Sequence, residues 1–168
     1  MEDLTEIVRM DLAELQLKEV DLHASIENNC ASIRALLLLN GVQVINKIPE
    51  KTCVAGIQAY IDSIVLNFIT NAVKYKRSEA KEGCQLLIAL EETDTHKIVH
   101  FQDNGIGIDM KLNGGKLFGL YKTFHKHPDA RGVGLFLTKG QVEAMGGFIT
   151  VQSTKGLGTT FSVHFPLQ

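Results

Sequence analysis

The chain has 168 residues, and its 17 Lys and Arg against 19 Asp and Glu give a formal net charge of −2. This length is sufficient for one domain with a sizeable core, and the charge gives no general electrostatic reason to bind nucleic acid or membranes. No apolar run reaches the roughly 18 residues of a membrane-spanning helix, and the N-terminus is acidic, unlike a secretory signal. Three cysteines without CxxC spacing, Cys30, Cys53 and Cys84, indicate free thiols in a reducing compartment. We therefore expect a cytoplasmic domain.

The first half of the chain predicts two helices around a strand. Residues 21–40 have helical periodicity, Asp21 or Ser25 serves as the N-terminal cap, and Gly41 ends the helix because glycine tolerates a left-handed cap. Alternation predicts a strand at 42–48. A second helix is predicted over about 55–77.

The second half predicts strands, a loop and a third helix. Strands are expected at 85–91 and 97–102, joined by a hairpin turn at 93–95. Periodicity weakens and glycines accumulate between 109 and 131, which is typical of a functional lid loop. A helix at 132–145 and strands at 148–153 and 159–165 follow. Strands that mostly arrive as hairpins, with helices on one side, predict a two-layer α/β sandwich.

The helix at 61–75 carries a polar seam opposite a broad apolar face. The 3.6-residue period predicts that this face is formed by Ile61, Ile64, Val65, Phe68, Ile69 and Ala72. Asn67 and Asn71 are four residues apart and Lys74 follows three later, so the three side chains point the same way. Buried amides are costly unless something satisfies them. The seam is either a hydrogen-bonded part of a core helix or a site for hydrated metal and phosphate.

Three glycine turns follow this helix. Asp103-Asn-Gly105-Ile-Gly107-Ile108-Asp109 leaves a strand, Arg131-Gly-Val-Gly-Leu135 opens a helix, and residues 156–160 read Gly-Leu-Gly-Thr-Thr. Backbone N–H groups at a helix start favour phosphate. Each turn alone is a weak signal.

In this order and spacing, the motifs resemble the ATP-binding domain of sensor histidine kinases, in the superfamily shared with gyrase, MutL and the large heat-shock chaperone. Asn67 to Tyr75 matches the N box, and Asp103 to Ile108 the first glycine box. Phe118 and Phe124 lie in the F box, and Gly132 to Leu135 form the second glycine box. The resemblance covers about residues 21–166.

The resemblance implies a Bergerat-type ATP-binding fold. Its mixed, mainly antiparallel sheet of about five strands would be covered on one face by three helices, with an ATP lid. Residues 1–20 would be the remnant of a dimerisation helix and linker, and 21–168 the catalytic domain.

The resemblance also assigns an adenine pocket. Asp103 matches the aspartate that binds the adenine amine in this family. A carboxylate suits this role because it only accepts hydrogen bonds, and the amine donates them. Gly105 and Gly107 would let the backbone approach the base, Ile108 would pack on it, and Thr159 would support the pocket.

At the phosphate end, Asn71 matches the magnesium ligand of the family, and Lys74 and Tyr75 would contact the phosphates and sugar. Mg²⁺ prefers oxygen donors and keeps several waters, so one amide oxygen is sufficient. Asn67 stands where the gyrase and chaperone ATPases carry a water-activating glutamate, and an amide cannot act as a general base. Asn67, Asn71 and Lys74 are thus the expected catalytic residues.

The lid and the second glycine box complete the expected ATP site. The remaining residues of the expected ATP site are Phe118, Phe124, Arg131, Gly132, Val133, Gly134 and Leu135. The family usually has Gly-Thr or Gly-Ser before Gly132, whereas Ala130-Arg131 stand here, and Arg131 adds a charge that suits phosphate.

The implied function is binding of Mg–ATP and transfer of the γ-phosphate to a histidine on a separate dimerisation domain, since this chain lacks the phosphoacceptor motif. A response regulator would act downstream, and no nucleic acid would be involved. The fragment alone would be monomeric and weakly active, within a homodimer that is cytoplasmic or membrane-anchored. Two alternatives stay open: an anti-sigma-type serine kinase, and a non-catalytic nucleotide-binding module.

Overall fold

A computed structural model describes residues 16–80, 83–119 and 133–168 of the chain. In chain order the helices and strands are β1 (Lys18–Asp21), α1 (Leu22–Ser32), α2 (Arg34–Asn40), β2 (Val42–Asn46), β3 (Cys53–Gly56), α3 (Gln58–Lys74), β4 (Cys84–Glu92), β5 (His96–Asp103), α4 (Met110–Asn113), a 3-10 turn at Gly114–Lys116, α5 (Gly134–Ala144), β6 (Phe148–Thr154) and β7 (Gly158–Pro166).

Within the described residues, the main sheet has five strands in the order β2-β4-β5-β7-β6. The β2–β4 pair of these strands is parallel, and the β4–β5, β5–β7 and β6–β7 pairs are antiparallel. The parallel pair needs a crossover connection, which includes α3, whereas β4–β5 and β6–β7 are hairpins. The predicted mixed, mainly antiparallel sheet is confirmed.

The core lies between this sheet and the helices. The apolar positions of α3 predicted from the 3.6-residue period are all buried: Ile61, Ile64, Val65, Phe68, Ile69 and Ala72. The Phe68 ring lies 4.7 Å from that of Phe101 on β5 and 5.0 Å from that of Phe161 on β7, measured between ring centroids. Helices α1 and α5 add Ile26 and Val142 to the same core. The two-layer α/β sandwich is therefore confirmed.

The predicted helix at 21–40 is divided in two. Asp21 caps α1, since its carboxylate accepts a hydrogen bond from the Ala24 amide at 2.9 Å. Ile33, with φ −115° and ψ 21°, separates α1 from α2. Gly41 ends α2 in the left-handed conformation, with φ 62°, as the sequence indicates.

A small second sheet, β1 paired antiparallel with β3, is absent from the sequence predictions. Residues 18–20 were expected to belong to the remnant of a dimerisation helix and linker; they form part of β1, and Val20 is buried against the domain. Residues 1–15 of the expected remnant lie outside the described residues. In the part of the chain that the structure describes, no helix is both long and apolar enough to cross a membrane.

Candidate nucleotide-binding site

Asp103 stands at the last position of β5, with its carboxylate held by two backbone groups. Its Oδ1 accepts hydrogen bonds from the amides of Gly105 at 2.9 Å and Thr159 at 3.3 Å. Burial raises the pKa of the Asp103 carboxyl above its ordinary value, and these two hydrogen bonds act in the opposite direction. The predicted base-reading residue is thus a fixed and partly buried carboxylate.

The first glycine turn, residues 103–108, lies between the end of α3 and the β6–β7 hairpin. The Ile106 amide donates to the Tyr75 carbonyl at the end of α3, at 2.9 Å, and a Cβ on Gly105 would clash with that same carbonyl oxygen. Gly107 has φ 66°, and a Cβ there would clash with the carbonyl oxygen of Thr154. Both glycines are therefore required by the packing of the backbone itself.

The β6–β7 hairpin holds the turn from the other side. The Gly156 amide donates to the Ile106 carbonyl at 2.7 Å, and the Arg77 guanidinium donates to the Gly156 carbonyl. On β6, the hydroxyl of Ser153 accepts a hydrogen bond from the Ile108 amide at 2.8 Å and contacts the hydroxyl of Thr159 at 2.8 Å. Thr159 is buried, with 6% of its surface exposed.

The polar side of α3 contacts α5 across the helix layer. The Asn67 side-chain amide donates to the Thr138 hydroxyl of α5 at 2.7 Å, and the Gln141 side-chain amide of α5 donates to the Ser63 hydroxyl at 3.1 Å. A Cβ on Gly134 would clash with the Oδ1 of Asn67. Asn67 is thus partly a structural link between α3 and α5. Among the described residues, the side chains of Asn71 and Lys74 make no hydrogen bond or ion pair, and both are half-buried.

The start of α5 and the segment before the lid border the same region. Helix α5 begins at Gly134, preceded by Val133, and Leu135 packs against the core. Phe118 also packs against the core, and the Lys139 ammonium lies 5.9 Å from its ring centroid. Three predicted site residues lie outside the described residues: Phe124, Arg131 and Gly132.

The C-terminal half of α3 carries a strip of four predicted site residues, Asn67, Asn71, Lys74 and the capping Tyr75. Tyr75 at the end of α3 contacts the glycine turn beside Asp103, whereas Asn67 contacts α5. Eight residues of helix separate these two positions, which corresponds to about 12 Å. The strip therefore connects a carboxylate and glycine turn at one end with a helix N-terminus at the other.

Two residues of this region were not identified from the sequence. Ser153 and Thr138 are single hydroxyl-bearing residues without a motif of their own, and their partners lie 45 and 71 positions away in the chain. In the sequence, Ser153 and Thr138 look like the other polar residues of their strand and helix, so no signal distinguished them.

The described fold is a two-layer α/β sandwich, and comparisons with known proteins identify its family. Residues 56–168 match the model of the family described as "Histidine kinase-, DNA gyrase B-, and HSP90-like ATPase". Since this match covers more than half of the chain, the chain belongs to that family.

Individual relatives are sensor proteins. The chain is 33% identical over 113 residues to the sensor protein SrrB of Staphylococcus aureus, a match that covers 63% of this chain and 18% of SrrB. The mycobacterial sensor histidine kinase MprB has a similar structure, with a TM-score of 0.75 and 22% identity over 89% of this chain and 97% of the MprB chain. The Acinetobacter baumannii histidine kinase AdeS gives a TM-score of 0.76 and 18% identity over 97% and 73% of the two chains. The predicted resemblance to the ATP-binding domain of sensor histidine kinases is confirmed.

Proposed function

We propose that this domain binds Mg–ATP and donates the γ-phosphate to a histidine on a separate dimerisation domain, as part of two-component signal transduction. The observation that carries the proposal is the fixed carboxylate of Asp103 beside the glycine turn, joined by the α3 strip to the N-terminus of α5. Family membership supports the ATP-binding part. The histidine acceptor is supported by the sensor histidine kinases among the relatives, and transfer in preference to hydrolysis is supported by the amide at Asn67.

The adenine end is suited to a base with an exocyclic amine. The Asp103 carboxylate only accepts hydrogen bonds when it is ionised, and an adenine amine donates them. The two backbone amides fix Oδ1, which orients the carboxylate before the ligand arrives and lowers the entropic cost of binding. Ile108 and Thr159 border this end of the pocket.

The phosphate end is suited to a magnesium–triphosphate. The Asn71 side chain offers an amide oxygen with no hydrogen-bond partner among the described residues, and oxygen is the donor that Mg²⁺ prefers. No group of three or more His, Cys, Asp or Glu side chains able to hold a metal occurs within the described ranges. Asn71 would therefore hold the ion together with phosphate oxygens and water, while Lys74 neutralises phosphate charge.

Asn67 favours transfer over hydrolysis. Its amide has no basic atom to activate water, and its Nδ2 is committed to Thr138. Phosphoryl transfer depends mainly on positioning and charge neutralisation, which the chain's amide and ammonium groups supply. A histidine from another domain would then be the nucleophile, and the phosphorylated histidine would serve a response regulator.

The first experiment is calorimetry of a non-hydrolysable ATP analogue, with and without Mg²⁺. We expect magnesium-dependent binding by the native protein and a loss of affinity of at least about tenfold in Asp103→Asn, because a hydrogen bond to a charged group is worth about 1.5–3 kcal/mol. Asp94→Asn makes the same chemical change in the exposed turn at the other end of β5 and should leave binding unchanged.

The second experiment adds ATP and a dimerisation domain that carries a phosphoacceptor histidine. Acid-labile phosphate on that domain would support the proposed transfer. Phosphate on a serine of an anti-sigma antagonist would instead support the serine-kinase alternative. ATP binding without transfer to any acceptor would identify a nucleotide-binding module, and no binding by the native protein would contradict the proposal as a whole.

A further inference from the structure

Three polar side chains form a row across neighbouring strands at the adenine end of the site. In the strand register Asp103 of β5 lies opposite Thr159 of β7, and Thr159 lies opposite Ser153 of β6. Directly paired residues have Cβ atoms about 5 Å apart and point to the same face of the sheet. Asp103 and Thr159 are therefore neighbours, and Ser153 supports Thr159 from the side away from Asp103.

The hydrogen bonds of Ser153 determine where its proton lies. A serine hydroxyl has one proton and two lone pairs. The Gly158 carbonyl, 2.8 Å from Ser153 Oγ, can only accept, so the Ser153 proton is directed to it. The Ile108 amide, also at 2.8 Å, can only donate and occupies one lone pair. One lone pair of Ser153 remains.

These two hydrogen bonds of Ser153 determine the orientation of the Thr159 hydroxyl. Thr159 Oγ1 lies 2.8 Å from Ser153 Oγ, and either atom could donate if the pair were isolated. Because the proton of Ser153 is already used, Thr159 donates its own proton to Ser153. The lone pairs of Thr159 are then left as acceptors, next to the acceptor-only carboxylate of Asp103.

We infer that Ser153 is a positioning residue that makes Thr159 a hydrogen-bond acceptor, and that this selects 6-amino purine nucleotides over 6-oxo purine nucleotides. The inference rests on the proposed function, since it assumes that the base lies against Asp103. A 6-amino group has two N–H donors for the acceptor pair of Asp103 and Thr159. A 6-oxo group in the same position would place a third acceptor against them, leaving buried polar groups unpaired.

The test compares ATP with inosine triphosphate, a 6-oxo nucleotide that lacks the 2-amino group of GTP. Calorimetry would give the ratio of the two dissociation constants for the native protein, Ser153→Ala and Ser153→Thr. We expect the native protein to prefer ATP by at least about tenfold, and Ser153→Ala to reduce that preference by about tenfold, which corresponds to one hydrogen bond. Ser153→Thr retains the hydroxyl and should retain the preference.

The ratio separates this role from a purely structural one. Loss of the Ile108 contact in Ser153→Ala should weaken both nucleotides alike and cancel in the ratio. Ser162→Ala, the same change on the opposite face of β7, is the matched control and should not alter the ratio. Equal weakening of ATP and inosine triphosphate in Ser153→Ala would overturn the inference.

A second variant keeps the inference testable if Ser153→Ala does not fold. Thr159→Val removes the acceptor while retaining the shape, so it should weaken ATP and leave inosine triphosphate nearly unchanged. An unchanged ratio in Thr159→Val would overturn the inference. Equal affinity of the native protein for both nucleotides would overturn it while leaving the proposed ATP binding intact, whereas binding of neither nucleotide would remove both proposals.

Discussion

At the scale of single residues, Asp103 combines a proposed role in binding with a cost in stability. Burial raises its pKa in the folded protein above that in the unfolded chain. Between these two pKa values the folded state binds more protons, so the free energy of unfolding falls as the pH rises through that window and remains lower at neutral pH. Asp103→Asn removes the charge and should therefore leave the melting temperature at pH 7 unchanged or raised.

The measurement is calorimetric melting of the native protein and Asp103→Asn at pH 7 and at about pH 4, near the ordinary pKa of an aspartate. Any increase in the melting temperature of the variant should be larger at pH 7 than at pH 4, because protonation of Asp103 at the lower pH removes the cost of burying its charge in the native protein. A marked drop in the melting temperature of Asp103→Asn at pH 7 would show that the carboxylate stabilises the fold.

Gly105 and Gly140 should respond in opposite ways to the same substitution. A Cβ on Gly105 would clash with the Tyr75 carbonyl, whereas a Cβ on Gly140 has no heavy atom within 4 Å. Gly105→Ala should lower the free energy of unfolding by about 1–3 kcal/mol. Gly140→Ala, in the middle of α5, should raise it by about 1 kcal/mol through helix propensity. Urea denaturation of both variants checks these two expectations. A Gly105→Ala protein as stable as the native protein would contradict the close approach of Gly105 to the Tyr75 carbonyl.

Motif residues were easier to predict than their supports. Asp103, Gly105 and Gly107 lie within five consecutive residues, so their pattern can be recognised in the sequence without knowledge of the fold. Ser153 acts through hydrogen bonds to Ile108 and Thr159, which come into contact only when β6 and β7 meet the glycine turn. Such a role depends on the strand register, which a single hydroxyl in the sequence does not indicate.

At the scale of elements, α3 and α5 are joined at the site by the Asn67–Thr138 hydrogen bond. Thr138 is 1% exposed, so removal of its hydroxyl leaves the Asn67 amide without its partner inside the helix layer. Thr138→Val, which keeps the shape, should lower the free energy of unfolding by about 1–3 kcal/mol. Thr138→Ser retains the hydroxyl and should recover most of that loss in the same urea titration. Equal stability of Thr138→Val and the native protein would contradict the role of this bond.

The same scale explains which elements the sequence predicted. Helix α3 has a sustained apolar period, and its six predicted core positions are buried. Strand β3 has only four residues, and its pairing partner β1 lies in a segment that the resemblance assigned to a helix remnant and linker. A short strand is recognised through its partner, so the pair β1–β3 was not predicted.

At the scale of the whole molecule, β1 packs residues 18–21 against the domain whose predicted boundary is residue 21. Strand β1 pairs with β3, buries Val20 and ends in Asp21, the cap of α1. A protein that begins at Leu22 should therefore be less stable than one that begins at Gln16 by about 2–4 kcal/mol, from the lost burial and cap. Melting temperatures of the two proteins check this. Equal melting temperatures of the two proteins would support the predicted domain boundary at residue 21.

The position of β7 in the sheet has a consequence for how this protein is made. Strand β7 is the last described strand in the chain, yet it lies between β5 and β6 and supplies Thr159 to the site. During translation, a ribosome releases β4, β5 and β6 before the strand that joins them exists. The β5 and β6 edges then remain open to other nascent chains, since unpaired strand edges promote aggregation. Chaperone demand during synthesis should accordingly be greatest just before residues 158–166 emerge.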